Sequence, residues 1–219
     1  SRPIADMDAY REKLQSFVYA SGTTMKPIFN VAKRALNKRV AYAEGEEERI
    51  LRAVQVVVDE GLARPTLIGR PAIIAQRIEK FGLRLKEGVD YDVVNTDFDH
   101  RYRDFWQTYH RMTERKGITQ QVAKIEMRRR LTLIGSMMLH KGEVDGLICG
   151  TWGTTANHLM YIDQVIGKHA RGAESTAQDV PVYACMNGLL LPDRQVFLVD
   201  THVNYDPSAE ELAEITTMA

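Results

Sequence analysis

The residues of this chain best suited to chemistry follow two apolar segments. Gly150-Thr151-Trp152-Gly153-Thr154-Thr155-Ala156-Asn157-His158 comes after a strand-like run at 144–149 and leads into a helical stretch around 159–166. Glycines, hydroxyls and free backbone N–H groups at a helix N-terminus form a cradle for a phosphate or carboxylate. Thr151, Gly153, Thr154, Thr155 and Asn157 are the candidate contacts. The bland alternative is a hydrogen-bonded loop that needs its glycines only for backbone geometry. Asp200-Thr201-His202-Val203-Asn204 follows a second apolar run at 195–199. Asp200 and Asn204 are expected to face the first loop and orient a polar ligand, or else to hold their own turn through side-chain to backbone bonds. Lys168, His169 and Arg171 are candidates for nucleotide phosphates; a solvated basic patch is the competing reading.

Other constellations carry less. His202 has no neighbouring His or Cys at metal-ligand spacing, and Cys149 and Cys185 are isolated in apolar stretches, so neither a metal site nor a catalytic group is assigned. The acidic run Glu44-Gly45-Glu46-Glu47-Glu48 reads as negative charge at the positive end of a helix rather than as a metal site. Aromatic and basic residues mix in the segment 101–111, a pattern found where nucleic acid binds. Tyr102, Phe105, Trp106 and Tyr109 share a helical face, however, which favours a buried aromatic stripe. No G-x-G-x-x-G and no P-loop occurs.

Composition narrows the partners. Lys and Arg balance Asp and Glu at 29 each, so there is no electrostatic case for nucleic acid or an acidic membrane. No apolar run approaches the roughly 20 residues that span a bilayer. Two isolated thiols fit a reducing, cytoplasmic setting.

The elements that must position these residues alternate from about residue 38. Residues 39–43 read as a buried strand, and Ile50, Val54, Val57 and Val58 then mark one face of a helix that Gly61 closes. Residues 65–69 form the next strand, and Pro71 starts a helix where a missing N–H is tolerated. A third strand lies near 91–94, before a long helical region at 99–116 that Gly117 ends. Thr119 caps a further helix, and 131–140 is helical. Strands alternating with helices of about three turns imply βαβ units and a parallel sheet covered on both faces. The expected fold is a three-layer α/β/α sandwich with a mostly parallel sheet and two lobes. Residues 1–25 read as a linker arm interrupted at Ser21-Gly22-Thr23-Thr24, residues 26–167 as the first lobe, and residues 168–219 as the start of a second lobe. There, 182–186, 189–191 and 195–199, with a turn at Pro192-Asp193, suggest a β-hairpin. Ser208 and Glu211 open a final helix with a capping box. That helix has no closing signal and Ser1 is no initiator, so the chain is expected to be a piece of a longer protein.

Several ordered segments resemble one family. Residues 43–53, then 61–65 and 67–71, look like the start of a phosphotransacetylase (phosphate acetyltransferase) domain. Lys116-Gly117-Ile118-Thr119, Gly142-Glu143-Val144-Asp145-Gly146 with Cys149-Gly150, and residues 200–215 continue the resemblance. The arm, with Arg2-Pro3-Ile4-Ala5-Asp6, Phe17-Val18-Tyr19 and Met25-Lys26-Pro27-Ile28-Phe29, resembles the junction to such a domain in large bacterial NADP-dependent malic enzymes.

That resemblance implies a two-lobed α/β domain in an oligomer, at least a dimer, attached to an upstream malic-enzyme domain. The upstream domain would decarboxylate malate oxidatively with NADP and a divalent metal. This piece would hold no cofactor of its own and would sense acetyl-CoA as an inhibitor. Active phosphotransacetylases look to have an arginine where Met160 stands, and a second near Thr113, which Arg111 and Arg115 flank. Their acyl-transfer serine and aspartate would fall beyond Ala219. The expected role is therefore regulation and oligomerisation. A true phosphate acetyltransferase and a ligand-free dimerisation module are the alternatives.

Overall fold

A computed structural model describes residues 6–35, 38–167, 182–191, 194–201 and 203–219. The chain divides into two compact units, one spanning residues 31–167 and the other drawn from residues 1–30 and 168–219.

In the first of these, four strands form a parallel sheet. They are β1 (Arg39–Tyr42), β2 (Arg64–Ile68), β3 (Asp92–Val94) and β4 (Gly146–Ile148), in the order β3-β2-β1-β4. Val40 pairs with Pro65 on one side and Gly146 on the other, which fixes the register through the centre. The side chains alternate between faces as a pleated strand requires. Tyr42 and Leu67 pack with α2 (Glu48–Asp59) and α3 (Pro71–Lys80), through Leu51, Val54 and Ile74. Ala41, Ile68 and Val94 join the opposite core. That core is built by α4 (Tyr102–Thr113), α5 (Gln120–Arg129), α6 (Leu131–His140) and α7 (Thr155–Val165). A parallel sheet buried on both faces is the result, and the three-layer α/β/α sandwich follows.

The aromatic stripe is structural. Phe105 and Tyr109 are buried, and Tyr102 and Trp106 pack against the same core. Arg128 lies 4.6 Å from the centre of the Tyr102 ring and Lys124 4.6 Å from that of Trp106, so the bases cover aromatic faces. Tyr109 also donates to Gln164 at 2.7 Å, which ties α4 to α7.

Some boundaries differ from expectation. The stretch Ser21-Gly22-Thr23-Thr24 does not break the arm; it lies inside α1 (Met7–Arg34), as does Pro27. One Gly costs a helix only about 1 kcal/mol, a loss that 28 residues absorb. The region 99–116 is helical only from Tyr102, and its last turn tightens to a 3₁₀ turn, Glu114–Lys116, before Gly117. Thr119 does cap α5, accepting from Val122 N–H at 3.3 Å.

In the other unit, β5 (Met186–Leu190) and β6 (Gln195–Val199) pair antiparallel as the expected hairpin. Residues 182–185 are not strand, so the apolar run enters the sheet only at Met186. The turn at Pro192-Asp193 lies outside the described residues. The final helix, α8 (Ala209–Met218), opens with the full Ser208–Glu211 capping box.

Candidate functional site

Strand order places the site. The chain adds β2 and β3 on one side of β1 and then crosses to β4 on the other. The connections that leave the paired carboxyl ends of β1 and β4 therefore turn to opposite faces of the sheet, α2 on one and α7 on the other, and a crevice opens where ligands bind in open α/β sheets. A cleft of ≈ 300 Å³ lies there. Its walls are Glu44 after β1, Trp152, Gly153, Asn157, His158 and Tyr161 after β4, and Arg129, Arg130, Leu131 and Thr132 at the α5–α6 junction.

The loop after β4 is held from three directions. Glu44 is only 6% exposed, and its Oε1 accepts from the Gly150 N–H at 3.1 Å. His158 Nε2 lies 2.7 Å from the Trp152 carbonyl, and its Nδ1 lies 2.7 Å from the Thr132 hydroxyl. A carbonyl can only accept, so Nε2 carries the hydrogen that meets the Trp152 carbonyl. Gly153 has φ +102°, and a Cβ there would stand 3.1 Å from His158 Nε2. The turn therefore needs glycine for its backbone and for the close approach of the imidazole.

The loop is shorter than the sequence implies. Thr155, Asn157 and His158 belong to the first turn of α7, which starts four residues earlier than expected because Thr154 is its N-cap. The Thr154 hydroxyl accepts from the Asn157 N–H at 3.3 Å, so that hydroxyl serves the helix. Of the candidate contacts, Gly153 and Asn157 line the cleft; Thr151 is half-buried, and Thr154 and Thr155 are exposed.

Two arginines and a buried carboxylate were not among those candidates. Arg130 donates from Nε to Glu126 at 3.2 Å, and Tyr161 donates to the same carboxylate oxygen. Glu126 thus steadies both cleft residues. Arg129 is exposed and makes no ion pair or hydrogen bond among the described residues. The run Arg128-Arg129-Arg130 before an apolar helix was the available signal. Glu44 gave none, since its neighbours are ordinary helix-end acids. Glu46 takes a bidentate grip from Arg70, with Nη2 at 2.7 Å, which holds its carboxyl below the usual range. Glu48 pairs with Arg52 along α2. Among the described residues no three His, Cys, Asp or Glu side chains gather as for a metal. Burial, and secondarily the charge of Glu44, pushes the Cys149 thiol up, although a bond from Thr132 opposes this. The thiol is therefore a poor nucleophile near neutral pH.

Asp200 and Asn204 belong to the other unit. Asp200 has φ +57°, and its Oδ1 accepts from the Asn204 N–H at 2.9 Å and from Asn204 Nδ2 at 2.8 Å. Asn204 in turn accepts from the Tyr183 N–H at 3.1 Å and donates to its carbonyl at 2.8 Å. These side chains staple the turn after β6 to the segment before β5, so both are already occupied by the fold. Asn204→Ala should cost that unit about 1–3 kcal/mol by leaving several groups unpaired. Amide exchange at Tyr183 and Asn204 checks it, with faster exchange at both expected. Lys168, His169, Arg171 and His202 lie outside the described residues.

Comparison with known proteins agrees with this architecture. The sequence profile described as Phosphate acetyl/butaryl transferase matches residues 23–219. Over all 219 residues the chain is 46% identical to the NADP-dependent malic enzyme of Escherichia coli (strain K12), of which it covers 28%, in the C-terminal part. It is 43% identical to the NAD-dependent malic enzyme of Rhizobium meliloti (strain 1021), covering 27% of that protein. A phosphate acetyltransferase of Nitratidesulfovibrio vulgaris is 32% identical over 193 residues, which is 87% of this chain and 26% of that enzyme. The chain thus spans under a third of these relatives. Among solved structures, the EutD phosphotransacetylase from Staphylococcus aureus superposes with a TM-score of 0.70 at 21% identity, over 87% of this chain and 55% of that one. The profile covers nearly the whole chain and the fold agrees: the chain belongs to the phosphate acetyl/butaryl transferase family.

Proposed function

We propose that this chain is a regulatory domain of an NADP-dependent malic enzyme. In this reading it binds acetyl-CoA and joins the enzyme's subunits, while malate is oxidised and decarboxylated elsewhere in the parent, in the cytoplasm, with NADP and a divalent metal. The observation that carries the reading is at position 160. The family resemblance implies an arginine there in active phosphotransacetylases; here a methionine, 43% exposed, stands on α7 three positions after Asn157 and on the same face. Acyl transfer from acetyl phosphate needs fixed cations to hold the phosphate and absorb charge in the transition state, and a thioether supplies none. Thr113 gives no substitute, since it is fully buried and its hydroxyl donates to the Tyr109 carbonyl. The chain-long similarity to malic enzymes supports the same assignment.

Inhibition then requires only that acetyl-CoA bind one arrangement of lobes or subunits better than another. Calorimetry on the intact protein is expected to give saturable heat with acetyl-CoA. A coupled assay for acetyl-CoA formed from acetyl phosphate and CoA is expected to give no turnover. Absence of binding would remove the sensor reading and favour a ligand-free dimerisation module; steady turnover would favour a phosphate acetyltransferase.

A further inference from the structure

The cleft at the ends of β1 and β4 has two chemically different parts. Toward solvent stand Arg129, without a partner among the described residues, Arg130, and an indole, Trp152, that is 63% exposed. The first turn of α7, through Asn157 and His158, lies in the same wall, at the positive end of that helix. This side suits an anion. The other part is Glu44. Its Oε1 is taken by Gly150, whereas Oε2 is shielded from solvent and has no hydrogen-bond partner among the described residues. A buried carboxylate oxygen left unpaired is costly, and buried polar groups with no partner are rare. A donor supplied from the cleft would relieve it. An anion alone would not, because it brings no hydrogen for Oε2 to accept.

We infer that this cleft binds a phosphate-bearing ligand that also presents an N–H donor, with the phosphate on Arg129 and Arg130 and the donor on Glu44. The inference rests on the effector reading above and deepens it, because both halves of acetyl-CoA have this chemistry. The adenosine half joins phosphates to an exocyclic amine, and the phosphopantetheine half joins one to amide N–H groups. A volume of ≈ 300 Å³ is at the lower end for small-molecule sites, so the cleft takes one half rather than the whole molecule. Acetyl phosphate has no N–H donor and is not a good ligand on this account.

Calorimetry on the intact protein with adenosine 3′,5′-bisphosphate, 4′-phosphopantetheine and acetyl phosphate tests this. One half is expected to bind at least about tenfold more tightly than acetyl phosphate. Glu44→Gln should weaken that half by about tenfold or more, since an amide keeps an acceptor at only one of the two carboxylate oxygen positions and puts a donor at the other. Arg129→Gln changes an exposed side chain and should also weaken it about tenfold, which covers the case where the Glu44 variant fails to fold. Unchanged affinity in Arg129→Gln, or failure of both halves to bind, overturns the inference. Acetyl-CoA binding that survives both substitutions also overturns it and leaves the effector reading intact. Fragment binding that both substitutions abolish, in a protein that acetyl-CoA does not inhibit, supports the cleft and removes the effector reading.

Discussion

Gly45→Ala is expected to destabilise the first unit by about 3 kcal/mol, lowering the melting temperature by about 6–12 °C. Gly45 is buried directly after β1, and a Cβ there would stand 2.9 Å from the Ile68 carbonyl oxygen and 2.9 Å from Leu67 Cβ. Both are atoms that cannot swing aside. The neighbouring backbone cannot yield either, because Tyr42 pairs with Leu67 and the Gly45 N–H already donates to Ile68 at 3.1 Å. Relief would have to come from moving the end of β1, and that carries Glu44 away from Gly150. The substitution should therefore weaken ligand binding at the cleft beyond its effect on folding. Gly146→Ala is the matched control. Its nearest neighbour to a new Cβ is Val40 Cγ2 at 3.9 Å, and a change within about 0.5 kcal/mol is expected. Thermal melts of the two variants side by side decide the matter.

Arg101→Ala should cost a similar amount, about 3 kcal/mol, and its cost should depend on pH. The Arg101 guanidinium binds both oxygens of Asp99, at 2.7 Å from Nε and 2.7 Å from Nη2, and reaches Glu143 at 2.8 Å from Nη1. It thereby joins the start of α4 to the turn before β4. All three side chains are largely shielded, so removing the cation leaves two carboxylates uncompensated. Arg101→Lys should recover only part of the loss, because an ammonium cannot make the fork. Burial pushes the Asp99 carboxyl up, but the bonds and charge of Arg101 outweigh it and the net shift is downward. A carboxyl lowered by folding contributes stability that is fully present above its unfolded value, about 3.9, and is lost as pH falls through the folded value. The gap between wild type and Arg101→Ala should thus be constant from pH 7 to about 5 and should close below about 4. Denaturant titrations across that range measure it; a gap independent of pH would show that Arg101 acts by packing alone.

Local signals in the sequence predicted local structure well. Pro71, Thr119 and Ser208 each mark a helix start that the fold contains, because capping is settled within one turn. The 39–43 and 65–69 runs give central strands, since a sheet covered on both faces demands continuous apolar character. The errors come from distance along the chain. One exception is local: Thr154 caps α7 where the loop was expected to continue, accepting from the N–H only three positions on. Glu44 looked like one acid among four, and only its bond to Gly150, 106 positions on, sets it apart. Arg129 and Arg130 acquire meaning from the crossover that brings the end of α5 beside the β4 loop. Asp200 and Asn204 show the opposite case. Their spacing admitted a turn staple as readily as a ligand contact, and the staple is what the fold contains.

The proposed role is that the first unit keeps the crevice of a transferase family and uses it for recognition. Titrating acetyl-CoA into the intact parent protein while following malate-dependent reduction of NADP tests that most directly. The rate should fall along a saturating curve that matches acetyl-CoA occupancy measured by calorimetry, and Arg129→Gln should move that curve to higher concentration. A rate that stays constant when acetyl-CoA is saturating would contradict it.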